Sequence, residues 1–201
     1  MLGSLVKGAL EGVGWEIHRV PKPGRAIDVS APSADKIHYA CGRVHLGEGW
    51  LNVDIRPSGP ANYRYVNLID RHPFPDGCFR FGLCEDFIEH VGQADAFVFL
   101  IEVYRTLLPG GVLRLSSPSC EGVLSRHYAS LDYRTFALAR QQAFSELGHV
   151  HFFSRQSVEL IANHIGFDVE FVNPGESRYP ELRGIDARTD PINFHADLTK
   201  R

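Results

Sequence analysis

The sequence predicts an α/β fold in which a doubly wound, mainly parallel sheet carries helices on both faces. Two observations lead to this fold class. From residue 36 onward, short apolar segments of strand length alternate with longer segments of helical periodicity. Each long segment also ends at glycine just before the next apolar run, as expected where a helix turns back to the sheet. The 201 residues, 44% of them hydrophobic, suffice for one domain with its own core.

The predicted strands share a short apolar run bounded by polar or turn residues. They are residues 37–40, 51–55, 65–69, 81–84, 112–116, 167–172 and 192–198. A helix is predicted over 94–108, where apolar residues recur with a spacing of three and four. Its apolar face would contain Phe97, Leu100, Ile101, Tyr104, Leu107 and Leu108. The Pro-Gly-Gly at 109–111 should end this helix, and a second is predicted from a Ser154 cap to Gly166.

Two regions lie outside this alternation. Residues 1–35 are predicted to form a short N-terminal helix and an extended, proline-rich lead-in, so the domain proper spans 36–201. A helical insertion is predicted at about 119–150, with a helix from Asp132 to about Leu147. It follows a strand of the sheet, which suits a cover over a ligand site, because ligands of open α/β sheets bind beyond the strand ends. An ordinary surface helical hairpin is the alternative.

Composition narrows the partners and the compartment. The net charge of −3 comes from charges spread along the chain, so no nucleic-acid partner is expected. No stretch approaches the 18 or more apolar residues of a transmembrane helix, and the N-terminal segment lacks a secretory apolar run, which together predict a cytoplasmic protein. The four cysteines have no metal-site or disulfide-framework spacing, and we expect free thiols at Cys41, Cys78, Cys84 and Cys120.

Five sequence blocks occur in an order that is typical of one family. They are 37-IHYACGRVHLGEGWLNVDI-55, 73-PFPDGCF-79, 85-EDFIEHV-91, 102-EVYRTLLPGGVLRLSSP-118 and 151-HFFSRQSVELIANHIGF-167. The chain thereby resembles the small, type 11-like class I S-adenosylmethionine-dependent methyltransferases. This resemblance implies a Rossmann-like fold, S-adenosyl-L-methionine as cofactor and methyl transfer as the activity.

The first block suggests a cofactor site at two positions. The turn at Ala40, Cys41 and Gly42 follows the first strand, and the lack of a side chain at Gly42 allows backbone N–H groups to approach a charged ligand. By resemblance this ligand is the methionine part of the cofactor; a tight turn without a ligand is the alternative. Asp54 ends the second strand, where a carboxylate can accept both hydrogen bonds of a ribose. Only twelve residues separate Gly42 from Asp54, so the link over 43–49 must be a loop or a single turn.

The resemblance extends the site to the next strands. Asn67 and Asp70 would lie near the adenine, although a solvated turn residue is an equal interpretation of Asp70. Cys84 and Glu85 would lie along the methionine part. The complete set of predicted cofactor-binding residues is Tyr39, Ala40, Cys41, Gly42, Asp54, Ile55, Asn67, Leu68, Asp70, Cys84 and Glu85.

Three histidines are candidates for the catalytic group, because imidazole titrates near neutral pH. His90 follows the fourth strand and is equally interpretable as a helix-packing residue. His149 and His151 alternate along one segment and could share a face, as one base or as structural histidines. Because no third ligand at a recognisable spacing accompanies them, no metal site is expected.

These residues favour O-methylation of a small or carbohydrate-type acceptor. The segment 13-VGWEIHRVP-21 resembles leaders of methyltransferases of surface-glycan biosynthesis, which points to sugars. A non-catalytic S-adenosyl-ligand binding or assembly protein is the alternative, because His38, Ala40 and Asn67 depart from the family pattern. A Rossmann-type oxidoreductase lacks its glycine fingerprint here. An apolar N-terminal helix outside the core would also favour a homodimer.

Overall fold

A seven-stranded sheet forms the centre of the molecule in the computed structural model, which describes residues 31–56, 59–129 and 132–201. The strands are β1 (Lys36–Tyr39), β2 (Trp50–Asp54), β3 (Tyr63–Tyr65), β4 (Phe79–Glu85), β5 (Leu107–Pro118), β6 (Phe167–Val172) and β7 (Asn193–Lys200). Their order across the sheet is β3-β2-β1-β4-β5-β7-β6. Among the described strands, β7 is antiparallel to β5 and β6, and the other neighbouring strands pair in parallel. The predicted fold class is therefore confirmed.

Four α-helices connect or flank the strands in the described part of the chain. They are α1 (Gln93–Thr106), α2 (Cys120–His127), α3 (Tyr133–Arg140) and α4 (Arg155–Ile165). Short 3-10 helices span Ile88–His90 and Pro180–Leu182, and a π-helical turn over Gln141–Ser145 extends α3. None of these helices is both long and apolar enough to cross a bilayer. The N-terminal helix and most of the lead-in predicted over 1–35 lie outside the described residues.

Local sequence signals explain the ends of α4. The Ser154 hydroxyl accepts a hydrogen bond from the Ser157 amide at 3.0 Å, which satisfies one of the free N–H groups of the first turn. Gly166 ends the helix with φ 122°, a backbone conformation that side chains rarely adopt. Both predictions for this helix are confirmed, and β6 begins directly after it.

The sheet has a different apolar cluster on each face. The larger cluster lies between the sheet and helices α1 and α4, and Tyr39 and Phe99 meet in it edge to face at 5.4 Å. The second cluster joins Trp50, Phe81 and Leu83 to Leu182 of the C-terminal segment. The fully buried Arg114 holds that segment in place, because its guanidinium contacts Asp197 at 2.8 Å and Asp186 at 3.3 Å. The segment after β6 therefore returns over the sheet toward the site.

Three predictions about elements are wrong in detail. The third strand spans 63–65 and not 65–69, because the chain turns at residues 67–70 after a last bond from the Val66 amide to the Asp54 carbonyl at 2.9 Å. Helix α1 ends at Thr106, before the Pro-Gly-Gly, and residues 108–111 bulge out of β5. The buried face of α1 contains Ala96, Phe99, Leu100 and Val103, while Ile101 is 51% exposed. Apolar residues on most sides of this helix made its periodicity ambiguous.

Candidate active site

The turn after β1 and the acid at the end of β2 form one unit. Ala40 and Gly42 both have positive φ, 49° and 57°, so the chain reverses sharply at the carboxyl end of β1. The Gly42 amide donates to Oδ2 of Asp54 at 2.8 Å, and the Arg56 amide donates to Oδ1 at 3.2 Å. Each carboxylate oxygen therefore retains a lone pair that can accept a further hydrogen bond.

Asn52 holds the link between β1 and β2 without a helix. Its side-chain oxygen accepts from the Leu46 amide and its NH₂ group donates to the Leu46 carbonyl, each at 2.9 Å. Nδ1 of the buried His38 lies 3.3 Å from the same oxygen. Residues 43–49 contain no helix or strand and turn at 42–43 and at 48–49, which confirms the prediction that this link is a loop.

A cavity of about 360 Å³ opens at the carboxyl ends of β1, β2 and β4. Here the strand order reverses, which is where open α/β sheets bind their ligands. The lining residues are Ala40, Asp54, Ile55, Asn67, Leu68, Ile69, Asp86, Phe87, His90 and Val91. We call this space the cofactor cavity. Five of the eleven predicted cofactor residues line it.

Asn67 and Asp70 have different positions at the cavity. Asn67 lines it, whereas Asp70 is exposed outside it and accepts a hydrogen bond from Nδ2 of Asn67 at 2.7 Å. The bond orients the amide of Asn67 and leaves its oxygen free to accept. Asp70 is thus a positioning residue for Asn67 in this geometry, which neither sequence interpretation anticipated.

Five other predicted cofactor residues do not line the cavity, and one of them is Gly42, whose amide donates to Asp54. The ring of Tyr39 is fully buried beside Phe99, and Cys84 is 0% exposed in the core. Cys41 is buried, and its amide donates to the Val53 carbonyl at 3.1 Å. Glu85 instead accepts hydrogen bonds from the amides of residues 187 and 188. All four cysteines are free thiols, as expected.

Asp86 is a lining residue that the sequence analysis missed. It follows β4 directly with φ 48°, a strained conformation for a residue other than glycine. Its carboxylate accepts from Nδ2 of Asn193 at 2.9 Å and lies 3.2 Å from Nε of Arg188. Burial raises the pKa of this carboxyl group, against the opposing effect of the Arg188 charge. The signal was its place one residue beyond the predicted Cys84–Glu85 pair.

A second cavity, of about 590 Å³, shares Asp86 with the cofactor cavity. Its lining residues are Asp86, Pro118, Leu147, His149, Ala187, Arg188, Thr189, Asp190, Pro191, Ile192 and Asn193. We call it the acceptor cavity. Because β7 is antiparallel, its first residues lie at the carboxyl ends of the other strands and bring 187–193 to this edge. Leu147 and His149 come from the predicted insertion.

Two of the three candidate histidines meet between the cavities. The rings of His90 and His149 lie 4.7 Å apart, centroid to centroid, with His90 on the cofactor cavity and His149 on the acceptor cavity. Burial, followed by the neighbouring His149, lowers the pKa of His90, so this imidazole is neutral at pH 7. His151 lines neither cavity; its Nε2 bonds to the Val91 carbonyl at 3.0 Å. The structure pairs His149 with His90 and not with His151.

Glu89 lies directly behind this histidine pair. Its side chain is 0% exposed, and Oε2 accepts from the Ser117 hydroxyl at 2.8 Å. Oε1 is buried without a hydrogen-bond partner and lies 3.9 Å from Nε2 of His90. Burial raises the pKa of Glu89 to about 8. One potential ligand atom from each of Glu89, His90 and His149 lies within 4.8 Å of the others.

The reversing sheet order, the positive-φ turn and the acid that ends β2 form the arrangement at which open α/β sheets bind nucleotides. The family model described as a methyltransferase domain matches residues 25–115, which include the turn, Asp54 and Asp86. No curated protein sequence is significantly similar to the chain.

Solved structures with the same fold include S-adenosylmethionine-dependent methyltransferases. One from Archaeoglobus fulgidus has a TM-score of 0.55 at 17% identity, and the match covers 98% of this chain and 94% of the Archaeoglobus chain. One from Mesorhizobium loti has a TM-score of 0.55 at 15% identity, with 96% of each chain covered. A Thermotoga maritima protein, described as a possible histamine N-methyltransferase, has a TM-score of 0.52 at 18% identity and covers 85% and 84%. The family match covers residues 25–115, and these structures, each below 25% identity, show that the chain has the fold of S-adenosylmethionine-dependent methyltransferases.

Proposed function

We propose that the chain transfers a methyl group to a hydroxyl group of a small, carbohydrate-type acceptor held in the acceptor cavity. One observation carries this proposal: the two cavities share Asp86, and the His90–His149 pair bridges them. A methyl donor in one cavity and an acceptor in the other would therefore meet beside an imidazole pair. The family match ends at residue 115, before the residues that line most of the acceptor cavity, so the acceptor is inferred from geometry alone.

The lining of the cofactor cavity fits S-adenosylmethionine. Asp54 has a free lone pair on each carboxylate oxygen, which suits the two hydroxyl groups of a ribose. Ile55 and Leu68 supply apolar walls, and Asn67 offers a fixed amide oxygen to an adenine amine. Asp86 places a carboxylate at the other end, where it suits a cationic ammonium group.

The proposed division of labour follows from these positions. S-adenosylmethionine supplies the methyl group, the oxygen lone pair of the acceptor forms the new C–O bond, and the sulfur keeps the electron pair of the C–S bond that breaks. The chain aligns the two partners and excludes water, which accounts for much of the rate in displacement reactions. The His90–His149 pair activates the acceptor hydroxyl, whose proton leaves to solvent through the acceptor cavity.

The acceptor cavity favours a molecule with several hydroxyl groups. Arg188, Thr189 and Asp190 offer donors and acceptors to it, as expected for sugar recognition. Leu147 of the insertion adds an apolar side, so the insertion acts as a cover in this proposal. We place the reaction in the cytoplasm, because four free thiols suit a reducing compartment. Roles in glycan biosynthesis are part of the same proposal.

Methyl transfer from labelled S-adenosylmethionine to separate panels of nucleotide sugars, small hydroxyl compounds and amines tests the proposal. We expect transfer to a hydroxyl acceptor and a decrease of about 100-fold or more in kcat for His149→Asn, the usual effect of losing such a group. Asp168→Asn, on the exposed start of β6, is the control and should match the wild type. Cofactor binding without transfer to any panel would favour the non-catalytic alternative, and transfer to amines alone would contradict O-methylation.

A further inference from the structure

We infer that Glu89, His90 and His149 bind a divalent transition-metal ion, such as zinc, between the cofactor and acceptor cavities. Two imidazoles and one carboxylate form a ligand set that such ions prefer, and three protein ligands leave coordination positions open for water or an acceptor oxygen. The donor atoms lie within 4.8 Å of one another. The inference rests on the proposed function for the task of the ion, and on geometry alone for its site.

The buried carboxylate is the observation that points to a ligand. Glu89 is fully buried, yet Oε1 has no hydrogen-bond partner. A buried carboxylate oxygen is costly to leave without a partner. Ser117 fixes the other oxygen at 2.8 Å, which holds Oε1 on the side of His90. A cation bound by Oε1 and the two imidazoles would provide the missing partner.

The ring of His149 is held as metal-bound histidines usually are. Nδ1 of His149 lies 2.8 Å from the Ala143 carbonyl, so it donates its proton there and leaves the lone pair of Nε2 free. Metal-bound histidines commonly donate their second N–H to a carbonyl or carboxylate, which fixes the ring and its tautomer. The Ala143 carbonyl belongs to the insertion, which thus positions one ligand of the site.

This site was not visible in the spacing of the sequence. Glu89 and His90 are adjacent, but His149 lies far along the chain, and the insertion brings it back. The Val150 amide donates to the Glu89 carbonyl at 2.8 Å, which joins the two segments. The expectation of no metal site considered His149 with His151, whose Nε2 is occupied by the Val91 carbonyl.

The ion would explain how the histidine pair activates a hydroxyl group. A zinc ion held by Glu89, His90 and His149 would act as a Lewis acid that lowers the pKa of an acceptor hydroxyl bound to it, as it does for bound water, and the proton would pass to solvent. In this arrangement His90 and His149 act as ligands, and Asp86 adds a further negative charge nearby.

Calorimetric titration of the full chain with Zn²⁺, after treatment with a chelator, tests the site. We expect one ion per chain, binding at least about 10-fold weaker in Glu89→Gln and His149→Gln, and about 10- to 100-fold weaker in Ser117→Ala, because partners of metal ligands contribute that much. His151→Asn is the matched control and should bind like the wild type. Equal binding by wild type and Glu89→Gln, or loss of binding in His151→Asn alone, would overturn the inference.

The effect of the ion on activity separates this inference from the proposed function. We expect methyl transfer to a hydroxyl acceptor to fall at least 10-fold after chelation and to return when Zn²⁺ is added. Full transfer by the chelated enzyme would overturn the metal site and leave the proposed function standing. Zinc binding with no transfer to any hydroxyl acceptor would contradict the proposed function and leave the site standing.

Discussion

Burial and hydrogen bonding shift the pKa of His38, in β1, in opposite directions. Burial lowers its pKa from 6.5 to about 4, and the hydrogen bond to Asn52 only partly offsets this effect. Asn52 Oδ1 already accepts from the Leu46 amide, so Nδ1 of the neutral imidazole donates to it. His38 departs from the pattern of the family that the sequence resembles. Because this histidine is buried in its neutral form, the stability of the protein should depend on pH.

The stability of the protein should decrease in mild acid because of this residue. Between pH 6.5 and 4 the unfolded chain binds a proton at His38 that the folded chain does not, so stability present above pH 6.5 is lost as pH falls through that range. A shift of this size corresponds to roughly 3 kcal/mol. Urea unfolding at pH 7 and at pH 5 measures this effect, and the free energy of unfolding should fall less in His38→Asn than in the wild type. The exposed His164→Asn should lose as much stability as the wild type. An equal loss in His38→Asn and in the wild type would contradict this account.

Ala40, which follows β1, has a backbone conformation that is unfavourable for alanine. Its φ of 49° is one that glycine adopts at little cost, whereas Ala61 has no positive φ. Ala40→Gly should relieve about 1 kcal/mol of strain, which roughly offsets the greater flexibility of glycine in the unfolded chain. The exposed Ala61→Gly should lose about 0.5–1 kcal/mol. Thermal unfolding compares the stability of the two variants. A larger loss of stability in Ala40→Gly than in Ala61→Gly would show that the turn is not strained.

At the scale of elements, one carboxylate positions the wall of the acceptor cavity. Oε1 of the buried Glu85 accepts from the amides of Ala187 at 3.0 Å and Arg188 at 2.9 Å. Glu85 was predicted to contact the cofactor, but the structure gives it this positioning role. Spacing predicted the place of Glu85 at the end of β4 but could not specify the direction of its side chain.

Loss of the Glu85 charge should loosen this wall. In Glu85→Gln the two amides lose a charged acceptor worth about 1.5–3 kcal/mol, so hydrogen exchange at Ala187 and Arg188 should accelerate about 10-fold or more. The exposed Glu181→Gln in the same segment is the control. Unchanged exchange at 187 and 188 would contradict the tethering role.

Local signals predicted some elements well and others poorly. Helix α4 and β6 were predicted closely, because Ser154 and Gly166 mark their boundaries by backbone chemistry. The third strand was misplaced, because residues 65–69 are as apolar as a strand but leave the ladder after Tyr65. The position of helix α2 was not predicted, and the observed buried face of α1 is rotated relative to the predicted one. In both cases tertiary packing, and not the periodicity of apolar residues, determines the structure.

For the whole molecule, the sequence predicted the cofactor half of the site better than the acceptor half. Ala40, Asp54 and Asn67 follow successive strands, so parallel topology alone brings them to one edge. Asp86 and the 187–193 wall required knowledge of where β4 ends and of the antiparallel β7. The pairing of His90 with His149 depends on the fold of the insertion, which no local pattern specifies.

The central claim is that S-adenosylmethionine binds in the cofactor cavity through Asp54. Calorimetric titration with S-adenosylhomocysteine tests it most directly. The wild type and Asp168→Asn should each bind one molecule per chain with equal affinity, and Asp54→Asn should bind about 10- to 100-fold more weakly, the effect of weakening charged hydrogen bonds. No binding by the wild type, or equal binding by Asp54→Asn, would contradict the account.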